Sequence, residues 1–358
     1  MMRALAGLAA TAAMTMVTAG AKPAPATQAV TGFSGTAETV MGTLVGPPSR
    51  RFLTRIRNGK MGGVVLLGNG WLTQSTAASV TAELQQAACT RGEPLLIAVD
   101  QEGGLVRRLA WAPPNEAPDQ MTSPFVAHSE AAGAAAALRS VGIDVDFAPV
   151  VDTPGSAGNF LGSRAFSRSR TWNAQMARAF VGGLQTNGIA ATAKHFPGLG
   201  LASGNTDHGR IVIRAAAWRL RRDLLPFQSA IRAGVKLVMV STAIYPRLDG
   251  SKRPAAFSST IIERLLRQRL GFKGVTVTDS LTAPAADRIP HTATRAMLAG
   301  SDLLIFGAES ASERGYATLL ADEAASPRLQ ARLTQAAARI RALKAWLALH
   351  GGATCPAG

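Results

Sequence analysis

Short runs of apolar, often β-branched residues recur along the chain, and each is followed by a stretch with helical spacing. The runs are Met41–Val45, Gly63–Leu67, Leu95–Val99, Val145–Val150, Ala191–His195, Leu237–Ser241, Val275–Thr278 and Leu303–Phe306. Helical patterns lie between them, among them Ser75–Ala88, Trp172–Leu184, Trp218–Ala233 and Thr260–Leu270. Runs without polar alternation suit strands buried on both faces, the condition of a parallel sheet wrapped in helices. Eight of them alternating with helices predict an α/β fold, a single-domain (β/α)₈ barrel of the TIM type. An open doubly wound sheet is the competing arrangement, but no Gly-x-Gly-x-x-Gly turn opens a strand–helix unit.

The three- and four-residue spacing of Leu329, Leu333, Ala337, Ile340, Leu343 and Leu347 predicts one long amphipathic helix over Ser326–His350. It is expected to pack against the outside of the barrel. No linker rich in Pro, Gly or Ser interrupts the body. Residues 35–350 are therefore expected to form the barrel with this helix, preceded by an extension at 22–34 and followed by a tail at 351–358.

The beginning of the chain follows neither pattern. Arg3, the uncharged stretch Ala4–Val17 and the small residues Ala19-Gly20-Ala21 predict a secretory leader over residues 1–21, cleaved near Ala21. The stretch is too short to span a bilayer comfortably, and no later run approaches that length, so no membrane span is expected. No cysteine lies near the leader, which argues against a lipid anchor. An exported chain, periplasmic or extracellular, would let Cys89 and Cys355 pair; a helix-face thiol and an unrelated tail thiol are the other reading.

The chain carries 38 Lys and Arg against 22 acids, a formal charge of +16. Such a charge raises the question of nucleic acid. The cations are scattered along helices, as in Arg219-Leu220-Arg221-Arg222, and aromatics make up only 5% of residues. No stacking platform is interleaved with them, so no nucleic-acid partner is expected. Long-range attraction to an anionic cell envelope is the better expectation.

Catalytic groups of a barrel cluster at the C-terminal ends of its strands. Polar residues do follow the expected strands here: Asp100-Gln101-Glu102 after the third, Asp152 after the fourth, Lys194-His195 at the fifth, Asp279 after the seventh. Any one of these carboxylates could simply cap a helix. Their convergence on one face carries the inference.

Three segments then become familiar: Asp100-Gln101-Glu102-Gly103-Gly104, Lys194-His195-Phe196-Pro197-Gly198 and Val277-Thr278-Asp279-Ser280-Leu281. Together they resemble glycoside hydrolase family 3, specifically its β-N-acetylhexosaminidase branch. Supporting matches are Asp146–Val150, Gly162–Ser167, Asp223–Phe227 and Ala299–Asp302, in the family's order. The resemblance implies the family's barrel without a second α/β sandwich domain. It further implies a retaining exo-glycosidase that removes terminal β-linked N-acetylhexosamine from envelope or chitin-type saccharides. Asp279 matches the nucleophile that forms a covalent glycosyl-enzyme. Asp100, Arg108, Arg164, Lys194 and His195 match residues that hold the hydroxyls of the bound sugar.

One loop departs from the family. Its branch carries the general acid/base as a histidine in an Asp-Ser-His segment after the fifth strand, whereas this chain reads Gly204-Asn205-Thr206-Asp207-His208-Gly209. The gapless register puts Asp207 in the histidine's place; a shift of one residue puts His208 there. Either is a candidate acid/base, since each side chain has a pKa that its surroundings can tune. A saccharide-binding barrel with little or no turnover, or a family 3 glycosidase of other specificity, are the alternatives. The five histidines, His128, His195, His208, His291 and His350, lack the spacing of a zinc site, so no metal or other cofactor is expected.

Overall fold

The computed structural model describes residues 33–156 and 158–355. The expected leader therefore lies outside the described residues. Eight parallel strands form a ring: β1 (Val40–Leu44), β2 (Gly63–Leu66), β3 (Leu96–Val99), β4 (Val145–Asp146), β5 (Ala190–Phe196), β6 (Leu237–Val240), β7 (Val275–Thr278) and β8 (Leu304–Ile305). Each pairs with the next, β8 pairs with β1 at Val40 and Met41, and the Val277–Leu303 bridge joins the seventh and eighth positions. All eight expected strands are present. The fourth is shorter than expected because Pro149, which has no N–H to donate, follows Phe147 and Ala148.

Inward side chains recur every second residue, as the strand period requires. Leu96 and Ala98, Leu237 and Met239, Val275 and Val277, and Leu303 and Ile305 fill the lumen, with Met41, Val65 and Phe147. Their outward neighbours Ile97, Val99, Val238 and Val240 pack under the helices.

Among the described residues, six helices begin on a Ser or Thr (Ser34, Ser49, Thr73, Ser123, Ser169 and Ser326) whose side chain accepts the N–H three residues on. Each such cap contributes about 1 kcal/mol. The single helix expected over Trp218–Ala233 is instead two, Ala217–Arg222 and Leu225–Arg232. Pro226 explains the break: it lacks an N–H and suits the first turn of a new helix.

The first half of the long C-terminal helix, Pro327–Leu349, packs in the outer layer as expected, through Leu329, Leu333 and Ala336, and its second half departs from that expectation. Ile340, Leu343 and Leu347 pack into the lumen cluster, so the helix floors the N-terminal mouth of the barrel. Lys344 on the same helix binds Glu38 at 3.2 Å and Glu93 at 2.8 Å, both just ahead of strands. Cys355 then pairs with Cys89, with a Cα separation of 5.3 Å, and the Ala353 N–H donates to Asp144 at 3.2 Å. The bottom is thus closed, and the opposite, C-terminal mouth remains open.

Candidate active site

A cavity of about 320 Å³ opens at the C-terminal mouth, and its wall includes Asp100, Arg108, Arg164, Lys194, His195, Asp207 and Asp279. All the site residues expected from sequence line it except His208.

Strand alternation aims the acids that follow β3. Gln101 turns away from the cavity and ties the loop, donating to the carbonyls of Leu109, Ala112 and Pro113 at 3.1, 3.0 and 2.9 Å. Asp100 and Glu102, two residues apart, face the cavity. Gly103 must be glycine: its φ is +98°, and a Cβ there would lie 2.3 Å from the Glu116 carbonyl oxygen.

Lys194, at the end of β5, sits between the two acids, 2.5 Å from Asp100 Oδ1 and 2.6 Å from Glu102 Oε1. Arg164 grips Glu102 with two parallel bonds of 2.8 and 2.9 Å. Burial alone would raise the Glu102 pKa, but Lys194 and Arg164 hold it down to about 2. Burial would likewise lower the pKa of Lys194, yet Asp100 and Glu102 outweigh it and keep the ammonium charged. Arg108 reaches the cavity with its Nε buried and without a partner.

Asp152 orients His195. Its Oδ2 lies 2.8 Å from His195 Nδ1 and accepts the His195 N–H at 3.1 Å, while its Oδ1 accepts the Leu199 N–H at 2.6 Å. With Nδ1 fixed on a carboxylate, Nε2 is the free ring nitrogen.

Asp279 follows β7. Its N–H bonds to the Val240 carbonyl and its Oδ1 accepts the Ser280 N–H at 2.7 Å. Burial raises its pKa above the ordinary aspartate value; His195 and Lys194 pull it down, and the charge of Asp207 pushes it up. Asp207 is therefore within electrostatic reach of Asp279. It sits exposed on a turn held by Asn205, whose Oδ1 accepts the Asp207 N–H at 3.0 Å. His208 is exposed and outside the cavity wall.

Glu102 and Asp152, legible in the sequence only as acids at strand ends, take their roles from these contacts. Period-two alternation from Asp100 was the available signal for Glu102; nothing local pointed to the pairing of Asp152 with His195. The apolar wall of Phe160, Leu199 and Met239 was missed as well. Among the described residues, no cluster of His, Cys, Asp and Glu could hold a metal ion, and no helix is long and apolar enough to cross a membrane.

Residues 38–343 match the glycosyl hydrolase family 3 N-terminal domain. The chain is 35% identical over 260 residues to a β-hexosaminidase of Nitrosomonas eutropha, covering 68% of this chain and 73% of that protein. A family 3 β-N-acetylglucosaminidase from Paenibacillus sp. superposes with a TM-score of 0.83 at 32% identity over 90% of this chain; the chain spans 64% of that longer protein. A β-N-acetylhexosaminidase from Beutenbergia cavernae superposes with a TM-score of 0.81 at 30% identity, over 87% of this chain and 97% of that one. With a barrel open at one mouth, and buried acids and cations gathered there, the chain belongs to glycosyl hydrolase family 3 and is a glycoside hydrolase.

Proposed function

We propose that the protein is a retaining exo-glycosidase that removes terminal β-linked N-acetylhexosamine, N-acetylglucosamine above all. The observation that carries this reading is Asp279, which shares the cavity wall with His195, Lys194 and the second carboxylate, Asp207, all within electrostatic reach of it. Two carboxylates flanking one bond are what glycoside hydrolysis requires. The substrate class follows the names of the similar proteins.

In the first step an Asp279 oxygen attacks the anomeric carbon, and Asp207 gives its proton to the departing glycosidic oxygen. In the second, Asp207 takes a proton from water, which attacks the same carbon and frees Asp279, retaining the anomeric configuration. Asp100, Arg108, Arg164, Lys194 and His195 hold the sugar hydroxyls with charged partners, whose bonds are the strong ones. His208 is the weaker acid/base candidate because it lies outside the cavity wall. We further propose export after cleavage near Ala21 and action at an anionic envelope, on the basis of the leader pattern and the +16 charge.

The exposure of Asp207 favours one second reading, a saccharide-binding barrel with little turnover. Mass spectrometry after treatment with a mechanism-based fluorosugar separates the two. A glycosyl adduct on Asp279 supports the proposal. An unlabelled protein that binds N-acetylglucosamine without hydrolysing its aryl glycosides supports the second reading.

A further inference from the structure

A second cavity, of about 560 Å³, shares no lining residue with the first and takes no part in the chemistry above. Its wall carries six cations: Arg210, Lys252, Arg253, Arg288, Arg295 and Arg328. Among the described residues no carboxylate lines it. Among the described residues none of the six makes an ion pair within 4.0 Å or a side-chain hydrogen bond. Asp249 is close enough to feel Arg253, but its carboxylate is taken up by Ser251 and Ser258. So many uncompensated cations around one concavity repel one another, and an anion bound among them relieves that repulsion.

The placement ties this cavity to the saccharide site. Arg210 is three residues beyond Asp207 on the same loop after β5, and the Val212–Ile244 bridge joins that loop to the segment after β6. Arg288 follows Asp279 in the segment after β7. Arg295, Leu298 and Ala299, on the helix Thr292–Ala299, carry the groove down the flank of the barrel. The non-polar part of the wall is Ile244, Phe257, Ile289 and Leu298. It holds no Trp or Tyr, and Phe257 is buried, so bases have no platform to stack on. Aliphatic surface beside guanidinium groups suits the C–H faces and acidic oxygens of a charged sugar chain.

We propose that this groove is an anion-binding subsite for a carboxylate- or phosphate-bearing glycan, which it holds while the loop shared with Asp207 presents the chain's end to the catalytic cavity. The inference rests on the glycosidase reading for its choice of ligand.

The test uses the whole exported protein and the double variants R288E/R295E and R253E/R328E, whose parent side chains are exposed. Binding is measured calorimetrically to polygalacturonate, which bears carboxylates, to phosphomannan, which bears phosphates, and to neutral dextran and duplex DNA. Hydrolysis of 4-nitrophenyl N-acetyl-β-glucosaminide, which bears no carboxylate or phosphate, is followed in parallel. We expect the wild type to bind at least one acidic glycan and not dextran, with at least a tenfold loss in either variant and unchanged aryl-glycoside turnover. Which acidic glycan binds identifies the anion. Failure to bind either acidic glycan, binding that survives both charge reversals, or tighter binding to DNA would overturn the proposal. Absence of turnover with intact glycan binding would instead count against the glycosidase reading alone.

Discussion

Lys194 carries a charge that the barrel interior could not hold alone. Two carboxylates within 2.6 Å make its burial possible, and the same contacts set the acid stability of the site. Glu102 has a folded pKa of about 2, below the ordinary value of 4.5, so its contribution is complete above pH 4.5 and is lost as the pH falls towards 2. Glu102→Gln leaves Arg164 without its forked partner and Lys194 with Asp100 alone. It should cost about 3–5 kcal/mol in urea denaturation at pH 7 and flatten the acid limb of stability below pH 4.5. An unchanged acid limb would mean that Glu102 is not the group that titrates.

The same scale tests the carboxylates proposed to be catalytic. Asp279→Asn should lower turnover by roughly 10⁴-fold or more while leaving the unfolding transition in place, because the variant loses the proposed nucleophile and keeps the fold. Asp207→Ala should cost about 10²–10⁴-fold on sugar leaving groups and little on dinitrophenyl glycosides, which leave without a proton. Azide should then rescue deglycosylation. His208→Ala should resemble the wild type on both substrates; a selective loss there would move the acid/base to the histidine.

At the scale of elements, the floor of the barrel is held separately from its mouth. Leu343 is buried at 4% exposure among lumen side chains, so Leu343→Ala should destabilise by about 2–5 kcal/mol. The Cys89–Cys355 bridge joins the tail to the helix Gln74–Cys89, on the side away from the catalytic cavity. Cys355→Ser should therefore lower stability by about 2–4 kcal/mol and leave the KM and kcat of an aryl glycoside unchanged. A change in KM would show that the two ends of the barrel communicate. Pro226 illustrates how far a local rule carries: it splits one expected helix into two while the strand that follows stays in register.

Across the whole molecule, charge and export are the properties to test together. N-terminal sequencing of protein recovered outside the cytoplasm should begin near Lys22; full-length protein confined to the cytoplasm would remove the export proposal and the oxidising setting for the bridge. The barrel was legible without tertiary information because strand and helix periodicities are local, and eight apolar runs spaced by helices leave few ways to bury them all. The mouth was legible for a related reason: polar residues recur just beyond the strands, at Asp100, Asp152, Lys194 and Asp279. Tertiary structure alone settled which charges meet. Lys194 and Asp100 lie 94 residues apart, and only closure of the ring brings them to 2.5 Å. It also turned Asp207 rather than His208 to the cavity, paired the two cysteines, and laid the last helix across the floor. Each of those outcomes depends on where distant segments pack, and no periodicity along the chain encodes that.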